Sequence, residues 1–356
     1  MKRDEASTPP KPKPSLPRKA ARHIKGVVRK MVSKDKENSK EENDKRTNEE
    51  NDKDDYKTEK RNSPPKDKEK AEKDLVQKMQ CRPPICLQPV KDQIDIGLSF
   101  SGCGFLGTYH FGVVKCFVVN GQPLMSRLRR VSGASAGSLV SALFLLSPQN
   151  LEKGLNTVYE LADELNSLKF GALSPGFYLA QRLLKIVDDH LPDDVSRANH
   201  RLFVSLTHYK SRDNLLVSEF RNRAHLIECL NASCYIPLYS MGMNAQPPEI
   251  DGQPYIDGGY SNNLPDFSDL RTITVSPFSG AVDISPGDQQ GAIFDWKMTL
   301  GNQVMKVNLR NVVRGAQALF PPSKNTLEQY YKQGYKDAMK FLLENQLLQR
   351  EKGSVV

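Results

Sequence analysis

The chain has 356 residues, of which 51 are Lys or Arg and 42 are Asp or Glu, giving a formal net charge of +9. That length suits one large domain or two ordinary ones. Residues 1–90 hold 25 basic and 17 acidic residues, so almost all of the net charge lies there and the rest of the chain is nearly neutral. The basic isoelectric point is thus no sign of a basic groove on a folded domain, and we expect no nucleic-acid partner.

Residues 1–90 are predicted to form a disordered, charged extension. Residues 33–74 contain almost nothing apolar to offset the entropy of ordering. Within 18–34, apolar residues fall on one helical face among basic residues, which is typical of a basic amphipathic helix on an anionic membrane. A solvated tail and a transit peptide are the alternatives for this stretch.

Targeting signals and cysteine spacing limit the compartment. The first thirty residues contain no continuous apolar segment of the secretory type, and the longest apolar run, 139–146, is too short to span a bilayer. The six cysteines show neither zinc-binding nor redox spacing. Free thiols in a reducing compartment are the expectation.

The elements predicted from residue 93 onward alternate between strands and helices. Strands are predicted at 95–100, 128–133, 201–209, 215–220 and 271–278, with a hairpin within 247–265. Helices are predicted at 108–121, from 135 to Leu146, and at 149–166, 177–190, 308–320 and 326–347. This alternation predicts the α/β class with a central, mainly parallel sheet covered on both faces.

The first strand runs into "SGCGFLG", in which Gly102, Gly104 and Gly107 have the spacing G-x-G-x-x-G. A dinucleotide site would need an acidic residue about 20 positions further on, and "VVNGQPLMSRLRRVSG" has none there. No Gly-Lys-Ser/Thr follows either, which excludes a phosphate-binding loop of that type. A remaining use for such a loop is to offer backbone N–H groups, from about Cys103 and Gly104, to an oxyanion.

The second strand ends in "GASAG", where Gly133, Ser135 and Gly137 form G-x-S-x-G between a strand and an apolar helix. This context is that of a nucleophile elbow, in which small residues flank the serine because the turn is sharp. The alternative is an ordinary helix N-cap serine.

The base is not expected to be a histidine. All six histidines lie at or before residue 225, so the chain order Ser, acid, His would end before two of the better strands. Ordinary surface or edge positions are expected for them. Asp257, which follows a strand and precedes Gly258 and Gly259, is the candidate proton acceptor, because burial would raise its pKa toward neutrality. An ordinary turn aspartate is the alternative reading of this residue. Asp251 is explained by the Asp-Gly turn of the hairpin.

These three segments, in this order, resemble the patatin-like phospholipases, which use a Ser-Asp dyad. The likeness covers about residues 92–348 and extends to the adipose triglyceride lipase branch, most of all its short member. It is carried by "GCGFLG", "GASAGS", "FGALSPGF", "ASCYIPLY", "DGGYSNNLP", "ITVSPFSG", "DISP", "ALFPPS" and "KFLLENQ".

The resemblance implies a three-layer α/β/α fold with a catalytic core at 92–280 and a C-terminal helical part of the same domain at 281–348. It implies Ser135 as nucleophile, Asp257 as base and the loop Gly102–Gly107 as oxyanion hole, with no metal or organic cofactor. Phe105 and Leu106 stand in that loop where many family members have Arg or Lys, and the N-terminal 90 residues have no recognised counterpart.

The expected function is hydrolysis of neutral lipid esters such as triacylglycerols and retinyl esters, with transacylation as a further activity. A phospholipase A-type hydrolase and a catalytically silent lipid-binding regulator are the alternatives. We expect a cytoplasmic protein at a lipid-droplet or membrane surface, contacted through the basic tail. A mitochondrial location is the alternative.

Overall fold

The computed structural model describes residues 95–174, 176–240, 246–287, 297–306 and 308–349, all within the compact unit Pro64–Val356. The predicted extension of residues 1–90 and its amphipathic helix lie outside the described residues. The strands are β1 (Ile96–Phe100), β2 (Leu128–Gly133), β3 (Leu202–His208), β4 (Asn214–Val217), β5 (Glu249–Ile250), β6 (Gln253–Asp257), β7 (Arg271–Val275), β8 (Lys297–Leu300) and β9 (Gln303–Lys306).

The helices alternate with these strands over most of the described chain. They are α1 (Gly107–Asn120), α2 (Gln122–Met125), α3 (Ala136–Leu146), α4 (Leu151–Ser167), α5 (Leu179–His190), α6 (Arg223–Ser233), α7 (Leu309–Leu319) and α8 (Lys324–Glu344). No helix in the described part of the chain combines the length and hydropathy that crossing a bilayer requires.

The main sheet has the order β5-β6-β3-β2-β1-β7, and β4 also pairs with β3. Its centre, β3-β2-β1-β7, is parallel, whereas β4 and β6 run antiparallel to β3. Every residue of β1 is buried, because the parallel centre of the sheet is covered on both sides. The architecture is thus a three-layer α/β/α sandwich around a mixed, mostly parallel sheet, and the fold class predicted from sequence is confirmed.

The core consists of two large clusters that α3 joins. In one cluster, β1 and β7 pack with α1, α3, α4 and α8. In the other, β3 packs with the opposite side of α3 and with α5 and α6. The helix that follows the predicted nucleophile is therefore buried almost all round, which explains why its sequence is apolar apart from Ser138 and Ser141.

The predicted strands and helices are found within a few residues of the observed bounds, but the short helix α2, helix α6 and the β8–β9 hairpin were missed. Helix α6 has polar residues interspersed among its buried ones, so no single apolar stripe marks it. The β8–β9 hairpin follows Asp295 in a region where no strand was predicted. The division into parts 92–280 and 281–348 stays a prediction.

Candidate active site

Ser135 stands at the turn between β2 and α3, with φ 52° and ψ −131°. A residue other than glycine rarely adopts positive φ, and holding it there costs about 1–3 kcal/mol. The turn is possible because Gly133 and Gly137 touch: a Cβ added to Gly133 would lie 2.4 Å from the carbonyl carbon of Gly137. The sequence G-x-S-x-G thus folds locally into a tight elbow that presents the serine at the end of a strand.

Hydrogen bonds to neighbouring elements fix this elbow. The Ser135 amide donates to Ser233 Oγ at 2.9 Å, and Ser233 Oγ donates to the carbonyl of Ser205 on β3 at 2.8 Å. Ser138 Oγ, one turn into α3, donates to the Ser135 carbonyl at 2.7 Å. Both backbone groups of the strained residue are therefore satisfied, which leaves its side chain as the free functional group.

The strand register brings Asp257 to Ser135. β4 occupies one edge of β3 opposite Val204–Thr207, so β2 and β6 must share the other edge. On that edge Gly133 ends β2 opposite Val204, and Asp257 ends β6 opposite Leu206. Because β6 runs antiparallel to β3 and β2 runs parallel to it, the two strands point at each other end to end. Residues far apart in sequence thus meet at the gap between them.

The Asp257 carboxyl group is buried and hydrogen-bonded. It accepts a bond from the Gly259 amide at 2.8 Å. Burial raises its pKa to about 6, although the nearby Ser135 hydroxyl and the Gly259 amide both act to lower it. Such a carboxyl group is ionised near neutral pH but remains basic enough to accept a proton from a hydroxyl.

Asp251, the alternative carboxylate of the same segment, has a structural role. It lies in the β5–β6 turn with φ 52°, and Gly252 follows with φ 72°. Its carboxylate is exposed and pairs with Arg221 at 2.6 Å. Two successive residues with positive φ are the geometry of a tight hairpin turn, which agrees with the prediction.

The glycine loop lies against the elbow. A Cβ added to Gly102 would lie 3.2 Å from Ser135 Cβ, and one added to Gly107 would lie 3.4 Å from Ala136 Cβ. Gly104 has φ 52° and packs on α7 so closely that an added Cβ would lie 2.1 Å from the Ala318 carbonyl oxygen. No larger residue fits at that position without moving α7.

Some backbone N–H groups of this loop already have acceptors, so fewer of the predicted oxyanion-hole residues can donate to an oxyanion. The Gly102 amide donates to Asn263 Oδ1 at 3.0 Å, and the Gly107 amide donates to the Gly104 carbonyl. Within the described residues, the amides of Cys103 and Gly104 have no acceptor. These two N–H groups, and not those of Gly102 and Gly107, are the available donors.

Asn263 is a site residue that the sequence reasoning missed. Its side chain is buried, accepts from Gly102 and donates through Nδ2 to Gln303 Oε1 at 2.7 Å. Gln303 Nε2 continues the chain to Ser276 Oγ at 2.7 Å, which in turn accepts from Ser101 Oγ at 3.2 Å. This network of hydrogen bonds attaches to the start of the loop at two successive residues, Ser101 and Gly102. Asn263 lies in the motif that contains Asp257, but nothing in the motif indicates its target.

Three of the histidines are not surface residues. His110, His190 and His225 are buried, which corrects the expectation of surface or edge positions. His110 Nε2 contacts the Ser101 carbonyl at 2.9 Å and Cys103 Sγ at 3.2 Å, and burial lowers its pKa to about 4. The imidazole is therefore neutral near pH 7, and it contacts the glycine loop at Ser101 and Cys103.

An apolar cavity of about 140 Å³ opens beside Ser135. Aliphatic side chains from α3, α5 and the end of α7 provide most of its wall. His190 lies in this wall with both ring nitrogens engaged, Nδ1 with the Ile186 carbonyl at 2.7 Å and Nε2 with Thr157 Oγ1 at 3.3 Å. A long apolar group could therefore lie along the cavity with its reactive carbon at Ser135.

Comparison with known proteins agrees with this geometry. The family model "Patatin-like phospholipase" matches residues 98–265. Patatin-like phospholipase domain-containing protein 4 of Homo sapiens is 41% identical over 249 residues, which cover 70% of this chain and 96% of that protein. Patatin-like phospholipase domain-containing protein 2 of Mus musculus is 39% identical over 70% of this chain and 51% of its own length.

A third relative carries the name of a transferase. The 1-acylglycerol-3-phosphate O-acyltransferase Pnpla3 of Mus musculus is 35% identical over 70% of this chain and 59% of its own length. The resemblance predicted from the motifs is thus confirmed across a glycine loop, an elbow and an aspartate that the fold brings together. The chain belongs to the patatin-like phospholipase family.

Proposed function

We propose that this protein is an acyl hydrolase of neutral lipid esters that works through an acyl-serine intermediate. The observation that carries the proposal is the placement of Ser135, held in a strained elbow, next to the buried Asp257 and beside an apolar cavity. The cavity wall includes no Lys, Arg, Asp or Glu side chain among the described residues, which favours an uncharged acyl chain as its occupant. Triacylglycerols and retinyl esters fit this chemistry.

The proposed reaction has two halves. Ser135 Oγ attacks the ester carbonyl carbon as its proton passes to Asp257, and the Cys103 and Gly104 amides stabilise the oxyanion that forms. The intermediate then collapses: the ester C–O bond breaks, and the leaving alkoxide takes the proton from Asp257. Water attacks the acyl-serine in the same way, with Asp257 as base, and releases the fatty acid. An acceptor alcohol in place of water would give transacylation.

Fatty acid release from emulsified triolein, retinyl palmitate and phosphatidylcholine tests this proposal. We expect release from the neutral esters, and a loss of about 10³-fold or more in Ser135→Ala and in Asp257→Asn with the fold intact. Asp251→Asn is the matched control, because it removes a carboxylate from the same hairpin without touching the site, and it should retain activity. An essential Asp251 with a dispensable Asp257 would refute the base assignment.

The panel also separates the alternatives. Release from phosphatidylcholine alone would identify a phospholipase instead of a neutral lipid hydrolase. A fluorophosphonate probe reacts with an activated serine whatever the substrate. Folded protein that resists this probe and releases no fatty acid would be a catalytically silent lipid-binding protein, and the proposal would be wrong.

A further inference from the structure

Helix α7 is amphipathic, but its apolar side faces solvent instead of the core. Its apolar residues face outward: Leu309 is 78% exposed and Val312 is 64% exposed. We define the apolar face of α7 as Leu309, Val312, Val313, Ala316, Leu319 and Phe320, all exposed. Their spacing follows one side of a helix, whereas such a stripe ordinarily faces the core. An exposed apolar stripe of this kind marks a surface that meets another apolar phase.

Polar contacts hold α7 on the domain. The buried Asn311 accepts from the Ser279 amide at 3.1 Å and donates to the carbonyls of Ser279 and Lys306, both at 2.8 Å. Arg314, also buried, donates to Asn311 Oδ1 at 2.7 Å. Because these specific bonds fix the polar side inward, the outward direction of the apolar side is set by the fold.

This face is continuous with the mouth of the cavity. Leu319 belongs to the face and also lines the cavity beside Tyr239. The Tyr239 hydroxyl donates to the Leu319 carbonyl, and its ring lies edge-on to Phe320 with centroids 6.5 Å apart. Leu238, next in the chain, is exposed as well. An ester leaving an apolar phase at this face would therefore enter the cavity without crossing water.

Further exposed apolar residues lie on the neighbouring segment. Asn166, at the end of α4, donates to the Pro322 carbonyl just past α7 at 3.2 Å. The loop that follows α4 exposes Phe170 and Leu173. The exposed apolar area thus extends from α7 to the loop leading into α5.

The charge of these segments identifies the phase they meet. Residues 165–187 and 297–327 contain eight basic residues and no acidic one, and residues 229–248 carry no charged residue. Arg314 is buried against Asn311 and Arg182 pairs with Glu164. The exposed basic residues of these segments include Lys169, Lys185, Lys306, Arg310 and Lys324. The remainder of residues 91–356 holds 18 basic and 25 acidic residues. A second copy of the chain would not require this bias, whereas negative lipid headgroups attract basic residues around an apolar patch.

We propose that the apolar face of α7 docks the protein on a lipid surface that carries anionic headgroups, with the cavity mouth against the lipid. This inference deepens the proposed function and rests on it for the identity of the substrate, but docking itself requires no catalysis. Leu309 and Val312 would enter the headgroup region, and the exposed basic residues Lys169, Lys185, Lys306, Arg310 and Lys324 would lie at headgroup level.

Flotation of the full chain with vesicles tests the docking face. The vesicles are phosphatidylcholine with about 30% phosphatidylserine, at about 0.1 M NaCl. We expect Leu309→Asp/Val312→Asp to lower the vesicle partition coefficient about tenfold or more, because it removes two apolar contacts and adds two negative charges. Leu309→Ser/Val312→Ser, which changes no charge, should lower it by a smaller factor. Melting temperatures within about 2 °C of wild type would establish folding.

Val119→Asp/Leu343→Asp is the matched control. Both residues are exposed and apolar. They lie near the ends of helices α1 and α8, where Gly121 contacts Leu342, and neither residue lines the cavity. We expect this control to partition within about twofold of wild type, since its net charge equals that of the test variant. An equal fall of the partition coefficient in the control and the test variant would show that only the added negative charge matters, and it would overturn the proposal.

Two further results would also overturn it. Unchanged partition of the α7 variants would show that another part of the chain docks. Unchanged partition together with a shift from dimer to monomer in sedimentation would assign the face to a second copy. Ser135→Ala should partition as wild type does. If wild type released no fatty acid while the flotation pattern held, the proposed function would fail and the docking face would stand.

Discussion

Ser135 and Asp257 are each held in a state that neither residue adopts alone. Positive φ strains the serine backbone, and burial makes the aspartate a stronger base than it is in water. The fold imposes both states through fixed partners, namely Ser233 for the serine amide and Gly259 for the carboxylate. The reactivity of the pair thus depends on local free energy stored by the surrounding structure.

The raised pKa of Asp257 predicts that this carboxyl group lowers the free energy of unfolding as pH rises. Because its folded-state pKa of about 6 exceeds the unfolded value, the fold favours the neutral acid, and this stability is lost as pH rises through about 6. We expect Asp257→Asn to raise the free energy of unfolding by about 1–3 kcal/mol at pH 8 and to change it little at pH 4. Urea unfolding at both pH values measures this difference.

The same pKa should govern the reaction. Only the ionised carboxylate accepts the serine proton, so hydrolysis by wild type should fall about tenfold for each pH unit below about 6 and level off above it. A stability gain for Asp257→Asn that was equal at pH 4 and pH 8 would contradict the linkage and assign the effect to packing.

Among the elements, a partly buried ion pair fixes the edge of the sheet next to β1. Arg271, the first residue of β7, pairs with Asp283 at 2.6 Å, and Asp283 also accepts from the amide and hydroxyl of Thr274. Burial opposes ionisation of Asp283, but the bonds from Arg271 and Thr274 prevail and lower its pKa. The segment that ends at Ile284 is thereby held along β7, where Ile284 bridges to Val275.

We expect Asp283→Asn to lower the free energy of unfolding by about 2–4 kcal/mol at pH 7, because it leaves Arg271 without its ionic partner. The contribution is present above the unfolded pKa of the carboxyl group and is lost as pH falls through the lower folded pKa. Asp95→Asn, which breaks the exposed pair with Arg129, is the control and should cost less than about 1 kcal/mol. Equal costs in both variants would contradict the role of burial.

At the scale of the whole molecule, the site exists only where β2 and β6 meet on one edge of β3. The glycine loop adds a third segment, which Asn263 and α7 hold from opposite sides. None of these segments carries the site alone. Because β3 lies inside the core, separation of the dyad requires the central sheet to open.

Loss of the site should therefore coincide with global unfolding. We expect fluorophosphonate labelling of Ser135 to disappear within about 2 °C of the thermal transition seen by far-ultraviolet circular dichroism. Parallel aliquots heated to the same temperatures supply both measurements. Labelling lost well below the transition would show that the site opens locally, and the shared-edge explanation would be wrong.

Features with a local cause could be predicted from the sequence. The Asp251-Gly252 turn, the glycines of the elbow and the strand that ends at Gly133 follow from allowed backbone angles and short-range periodicity. Ser135 could be selected because its strand, turn and helix are contiguous. Asp257 could be preferred to Asp251 because a hairpin turn already accounts for the latter.

Which backbone groups remain free, and which way each helix face points, depend on contacts between segments that are distant in sequence. The Gly102 amide is used up by Asn263, a contact between distant segments that no local pattern contains. His110 is buried because every residue of α1 from Gly107 to Val114 is buried, and the stripe on α7 faces outward because Asn311 and Arg314 bond inward. Periodicity gives the angle between residues on a helix, whereas the direction of that helix toward core or solvent depends on partners elsewhere in the chain.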